Sequence, residues 1–321
     1  VNYLSALNAA AAKAFKDYLK VRDNENVLLI FDDSTEEIAK AFEASASELE
    51  ISLTTQKIEF TGVHGENPDD KTCSMMREHA VIIAPSRFSL THCQAMTEAR
   101  KAGARVATLP GINADMFARG LTIDPEKLKR DGERWIKAMS GKHAVRIKTE
   151  TGTDMEFSIG QYPVINDDGC IWEPGKGGNL PAGEVFVAPD LGTANGTVAI
   201  DGSIGCFDWQ PDDEPAVVTL KNGSAVSFEG KRGKALGQML AAHGDKGFVL
   251  AEFGIGTNPQ LRLCGDLLED EKVKGTIHLA FGNNCGFGGD NDVPVHIDGL
   301  VLAPDVIVDR AELMKKGKWL I

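Results

Sequence analysis

Histidine is scarce in this chain, with seven residues at positions 64, 79, 92, 143, 243, 278 and 296. Two of them stand in company that could do chemistry. The strand-like run 276–281 carries His278 and ends in a glycine-rich loop at 282–289, and a second run, 293–299, carries His296 and Asp298. Side chains i and i+2 of a strand project from the same face, so His296 and Asp298 share one. A His and an Asp side by side on a rigid strand, with another His on a strand nearby, make a donor set for a divalent metal. The plainer alternative is a hydrogen-bonded histidine on a sheet and an aspartate that ends a strand.

Two further carboxylates sit in unusual settings. Glu252 closes the apolar run 249–253, just before Gly254-Ile255-Gly256-Thr257-Asn258-Pro259. Glu184 stands where the Gly/Pro loop 178–183 enters another apolar run. A buried lone carboxylate is costly, so each needs a cation, a metal or a cluster of donors as partner; the alternative is a capping or solvated glutamate. Glu184, Glu252, His278, His296 and Asp298 together are hard or borderline donors with no soft thiolate among them, which suits Zn, Mn, Co or Fe(II). His92 follows the apolar run 80–84, where open α/β sheets commonly place ligand-binding groups. It is a candidate for orienting substrate, or else a helix-start histidine with no role. His243, beside Gly244 and Asp245, reads as a charge partner at a helix C-terminus.

These residues need elements to hold them. In the first 140 residues, apolar strand runs at 26–31, 51–60, 80–84 and 105–109 alternate with helical spacing at 35–48 and 89–102, the pattern of a doubly wound parallel sheet. No GxGxxG follows the first strand, which excludes a dinucleotide site there. The charged amphipathic stretch 125–139 predicts a helix that closes this domain. From residue 144 the texture changes to short strand runs (144–150, 155–159, 185–188, 197–200, 216–220) broken by Gly, Asn and Asp, with one inserted helix at 233–243. The expected fold is therefore α/β: an N-terminal doubly wound domain, 1–140, and a C-terminal, largely antiparallel α+β metal-binding domain, 141–321.

Composition narrows the function classes. A length of 321 residues suits two domains, and 34 Lys and Arg against 47 Asp and Glu leave a formal charge of −13. That balance argues against nucleic-acid or anionic-membrane partners, which want a basic face. No apolar run approaches the ~20 residues of a membrane span, and no secretory signal is visible. The six cysteines, at 73, 93, 170, 206, 264 and 285, lack CxxC spacing. Neither a disulfide framework nor a thiolate zinc site is expected, and reduced thiols point to the cytoplasm.

Four segments in order resemble the aminopeptidase T-type (thermophilic or leucyl aminopeptidase) metallopeptidases: 179–186 around Glu184, Glu252 before Gly-x-Gly-Thr-Asn-Pro, Ile-His-Leu-Ala-x-Gly around His278, and the closing His296-Ile297-Asp298. The resemblance runs from Asn179 to about Val308. It implies a homodimeric metallohydrolase with two metals held by Glu184, Glu252, His278, His296 and Asp298. Metal-activated water would attack a small amine-bearing molecule or short peptide, with Glu184 or Glu252 moving the proton and His92 orienting substrate. One departure stands out. The peptidases' active-site tyrosine, seven residues after the ligand His, is Cys285 here, which removes a phenol that could steady a tetrahedral intermediate.

The 2,5-dihydroxypyridine 5,6-dioxygenases resemble the same scaffold and use Fe(II). They share the closing His-x-Asp, but their third iron ligand is a His at the position matching Glu252. His278, His296 and Asp298 would be the corresponding two-His-one-carboxylate set. The primary expectation is thus an aminopeptidase-like hydrolase. A non-haem Fe(II) ring-cleaving dioxygenase, or a non-catalytic metal- or ligand-binding protein, is the alternative.

Overall fold

A computed structural model describes residues 3–59, 62–205 and 207–321. The end of the expected strand 51–60 and Cys206 therefore lie outside the described residues. The chain forms two units, Val1–Lys129 with Asp167–Ala182, and Arg130–Asn166 with Gly183–Ile321. Where the sequence suggests a single boundary after residue 140, the chain changes unit at three points. The C-terminal half of the helix Pro125–Met139 puts Trp135 and Met139 into the second unit's core. Later, Gly177–Asn179 adds a strand to the first unit's sheet beside Arg105–Pro110.

The first unit is built on a five-stranded sheet, in the order Ser52–Lys57, Asn26–Phe31, Val81–Ser86, Arg105–Pro110, Gly177–Asn179. Every pairing is parallel. Strands buried on both faces read as continuous apolar runs rather than alternating ones, which is how Val27–Ile30 and Val81–Ala84 appear. One face packs Leu28, Ile30, Ile82 and Val106 against Met76 and Met96 of the helices Asp70–Glu78 and Gln94–Lys101. Elsewhere in the unit, Phe42 stacks edge-on against Phe15 and tilted against Phe117, with centroids 5.4 and 5.3 Å apart. The N-terminal helix Tyr3–Lys13 has no counterpart among the sequence expectations. The returning segment is pinned by the buried Arg105, whose guanidinium donates to the Leu19 and Ile171 carbonyls and pairs with Glu25.

The second unit has two antiparallel sheets. An eight-stranded one runs in the order Ser224–Glu229, Ala216–Lys221, Asn195–Ile200, Asp154–Ser158, Ala144–Lys148, Asp305–Val308, Ala311–Lys315, Lys318–Trp319. The smaller runs His296–Val301, Ile277–Gly282, Leu250–Gly256, Glu184–Val187, Ile165–Asp167. One core lies between them, with Ile147, Phe157, Val198 and Val218 from the larger sheet and Val185, Phe253, Ile255, Leu279 and Phe281 from the smaller. This is the expected fold class, a doubly wound parallel unit followed by a largely antiparallel one.

The smaller sheet is two-faced. Val185 and Val187, Phe253 and Ile255, and Ile277, Leu279 and Phe281 point into the core. With a side-chain period of two, Glu184 and Phe186, Glu252 and Gly254, and His278, Ala280 and Gly282 must then project from the opposite face. Phe253 meets Phe157 at 5.3 Å in a T-shaped contact. Replacing this fully buried ring, Phe253→Ala, is expected to cost about 3–5 kcal/mol of unfolding free energy in urea titration.

Candidate metal centre

Register sets the site. Glu252, Ala280 and Asp298 lie opposite one another across three strands, as do Gly254, His278 and Leu300 one level along, while His296 pairs with Gly282 at the other end. Two carboxylates thus occupy the middle level with one histidine on either side. The histidines' levels are four residues apart along the ladder, roughly 13 Å of backbone.

A β-bulge between Leu250 and Glu252 makes this placement possible. Leu250 belongs to the core and so does Phe253, a spacing of three where a regular strand would keep two. The extra residue, Ala251, lets the strand bury Leu250 and still aim Glu252 at the site, the use to which bulges beside active sites are often put.

Glu252 links the two ends. Its Oε1 lies 3.3 Å from His278 Nε2 and its Oε2 3.2 Å from His296 Nε2. His278 Nε2 is also 3.3 Å from Glu184 Oε2, and His296 Nε2 is 3.5 Å from Asp298 Oδ1. Among the described residues, two groups have donor atoms within 4.8 Å of one another: Glu184, Glu252 and His278, and Glu252, His296 and Asp298. They share Glu252. The combination His278, His296 and Asp298 is not one of these groups, because the histidines sit at opposite ends of the carboxylate level.

Charge explains the cluster's cohesion. Burial by itself would lower His278, but the hydrogen bond to Glu252 and the charges of Glu184, Glu252 and Asp298 lift it to about 10. His296 is likewise raised well above an ordinary imidazole, against burial, by Asp298 and Glu252. Burial would raise Asp298, yet His296 above all brings it down to about 2, and Glu252 is lowered by both imidazoles.

The histidines differ in their second nitrogen. His296 Nδ1 stands 2.7 Å from the Asn283 carbonyl. An N–H donated there fixes the tautomer and leaves the Nε2 lone pair for a metal, as second-sphere partners of ligand histidines do. His278 Nδ1 is buried with no hydrogen-bond partner, so this ring is held through Nε2 alone, which faces Glu184 and Glu252.

The sequence reading passes over three further residues. Lys272 is fully buried, with its ammonium 3.3 Å from Glu184 Oε1 and against Glu271. Burial pushes Glu271 up to about 8 despite the pull of Lys272. Asn283, which orients His296, is the third. The first two follow the one-turn helix Leu267–Asp270 and look in sequence like a solvated charge run; their burial comes from tertiary folding alone. His92 is exposed in the first unit, in the turn ahead of Gln94–Lys101, and Cys285 is exposed in the short turn Cys285–Phe287.

Residues 10–321 match the family model NicX, described as 2,5-dihydroxypyridine 5,6-dioxygenase. The chain belongs to the 2,5-dihydroxypyridine 5,6-dioxygenase family. A curated 2,5-dihydroxypyridine 5,6-dioxygenase of Pseudomonas putida KT2440 is 22% identical over 241 residues, which cover 71% of this chain and 68% of that protein. The solved structure of the 2,5-dihydroxypyridine dioxygenase from the same organism superposes with a TM-score of 0.81 at 17% identity, covering 99% of this chain and 97% of the other. Wild-type AmpT from Thermus thermophilus superposes at 0.71 with 16% identity, covering 99% of both. The scaffold shared with aminopeptidase T is thus real, but it is a likeness of fold.

Family membership corrects the primary expectation. The family matched over residues 10–321 and the curated relative are dioxygenases, so the hydrolase, aminopeptidase and metalloprotease assignments fall. This member of the dioxygenase family is an enzyme with a small-molecule substrate. The divalent-metal expectation holds, with Fe(II) as the metal of the dioxygenase alternative. No helix among the described residues is long and apolar enough to cross a membrane.

Gly254 offers a direct test of the geometry, since a Cβ there would overlap the His278 ring. Gly254→Ala is expected to push His278 off Glu184 and Glu252 and to weaken metal binding about 10- to 100-fold, read by calorimetric titration with Fe(II) under anaerobic conditions.

Proposed function

We propose that this chain is an Fe(II)-dependent dioxygenase that opens the ring of 2,5-dihydroxypyridine or a closely related hydroxylated nitrogen heterocycle. The iron would be held by Glu252, His296 and Asp298. The observation that carries this reading is the family match over residues 10–321, and the trio supplies the donors, three oxygen and nitrogen ligands on one sheet face with His296 already oriented by Asn283. The donors fit the metal: one imidazole and two carboxylates are ligands Fe(II) accepts, and no thiolate competes. Glu252 stands where the family resemblance implies a histidine, so the set here has one imidazole rather than two.

Bound Fe(II) supplies the redox chemistry that lets dioxygen react with an electron-rich ring. The chain's own groups do the rest. Asn283 holds the His296 ring by its Nδ1 and turns Nε2 toward Glu252 and Asp298. His278, shared between Glu184 and Glu252, fixes the Glu252 carboxylate so that its Oε2 faces His296. Glu184, between Lys272 and His278, is an oriented acceptor for a proton from a ring hydroxyl. Glu184 and His278 thus serve as positioning and proton-holding groups rather than as ligands of a second metal.

A homodimer and a cytoplasmic setting belong to the same proposal. The setting is supported by the free thiols of Cys73, Cys93, Cys170, Cys264 and Cys285; sedimentation analysis would check the dimer.

The deciding experiment is oxygen uptake by protein loaded anaerobically with Fe(II) and then given 2,5-dihydroxypyridine. Stoichiometric consumption of oxygen with loss of the ring's ultraviolet absorbance is expected, with about one iron per chain. His296→Ala and Asp298→Ala are expected to lose both iron and turnover. His278→Asn is expected to keep iron at affinity reduced about 10- to 100-fold. Fully iron-loaded protein that consumes no oxygen with this ring would refute the proposal.

A further inference from the structure

Beside the metal trio stand two aromatic rings that no step above uses, Phe186 on the same sheet face and Phe287 from the turn Cys285–Phe287. Phe186 pairs with Gly254 across the strands and is the one partly exposed residue in the buried stretch 181–190. Phe287, also partly exposed, lies edge-on to Phe186 with centroids 5.4 Å apart, and edge-on to the His296 imidazole at 6.1 Å. Gly254 leaves room for the His278 ring, which lies over it beside Phe186, so the aromatic pair borders both imidazoles of the site.

Phe287 is held in place by its loop. Asn284, fully buried, accepts from the Asn291 N–H through its side chain, and its own N–H donates to the Asn291 carbonyl. The Asn291 side chain donates in turn to the carbonyls of Gly282 and Lys246. Gly289 fits against Asn284 only because it lacks a Cβ. This clasp ties both ends of the 284–291 loop together and presents Phe287 at its tip. Two partly exposed rings braced edge to face, next to an open-sided His296 (side chain 32% exposed), form a wall suited to a planar π-system.

We propose that the Phe186–Phe287 wall is the specificity determinant of this site and that it selects a flat aromatic ring over a saturated ring bearing the same hydroxyls. The inference rests on the dioxygenase reading for the identity of the ring, but not for the selection itself. A ring seated there gains edge or offset stacking with Phe287 and Phe186, while its hydroxyls face the carboxylate level.

The test is an anaerobic titration of Fe(II)-loaded protein with 2,5-dihydroxypyridine, with hydroquinone and with cyclohexane-1,4-diol, which keeps the hydroxyls and loses the flat ring. The wild type is expected to bind the aromatic diols at least about 10-fold more tightly than the saturated one. Phe287→Ala is expected to lose most of that preference and to raise KM more than it lowers kcat, with iron content unchanged. Phe287→Leu, which keeps apolar bulk at an exposed loop tip, guards against a loop that merely loosens and is expected to bind the aromatic diols more weakly than the wild type while leaving the saturated diol unaffected. Equal aromatic preference in the wild type and both variants, or no preference in the wild type, overturns the inference. A wild type that prefers hydroquinone but takes up no oxygen with 2,5-dihydroxypyridine removes the proposed reaction and leaves the wall standing.

Discussion

Everything in the second unit answers to one electrostatic constraint. Glu184, Glu252, Glu271 and Asp298 are crowded on or beside a single sheet face with little access to water, and carboxylates so placed repel one another unless cations lie between them. The chain interleaves its own: Lys272 between Glu271 and Glu184, His278 between Glu184 and Glu252, His296 between Glu252 and Asp298. The result is a line of alternating sign across neighbouring strands. The carboxylates cannot relax by turning over, because the reverse face of each strand is committed to the core around Phe253, Ile255 and Leu279. Hydrophobic packing on one side thus holds an unfavourable charge arrangement in place on the other.

Much of this was readable in the sequence. Helix-period and continuous apolar signals located the strands and helices of the first unit, because those signals are local. Period-two alternation put His296 and Asp298 together, and the incongruity of an acid ending an apolar run singled out Glu252 and Glu184. What stayed hidden depended on pairings between distant segments. Nothing local says that Gly177–Asn179 returns to the sheet begun at Asn26, or that Lys272 loses all contact with solvent. The spacing of the two histidines was hidden for the same reason: a short hairpin connection suggests that His278 and His296 are neighbours, and only the ladder register shows the carboxylate level lying between them.

The choice between hydrolase and dioxygenase was a different kind of question. Oxygen and nitrogen donors specify a class of metal, and the same donors serve a Lewis acid or a redox ion. Motifs built from ligands therefore report the site without reporting the reaction, and a fold shared with AmpT adds nothing on that point. The information that separates the two readings is spread along the chain, where the match extends over residues 10–321.

The bulge at Ala251 has an evolutionary side. In a sandwich, strand parity is a binary code: remove one residue and every side chain downstream changes face until another irregularity restores the phase. Without Ala251, this strand would have to choose between burying Leu250 and presenting Glu252. A single-codon insertion is thus enough to turn a purely structural strand into one that serves a core and a reactive surface at once. It also makes the strand intolerant of length change at that point, so variation in this lineage should arrive by substitution and leave the residue count between Leu250 and Gly256 untouched.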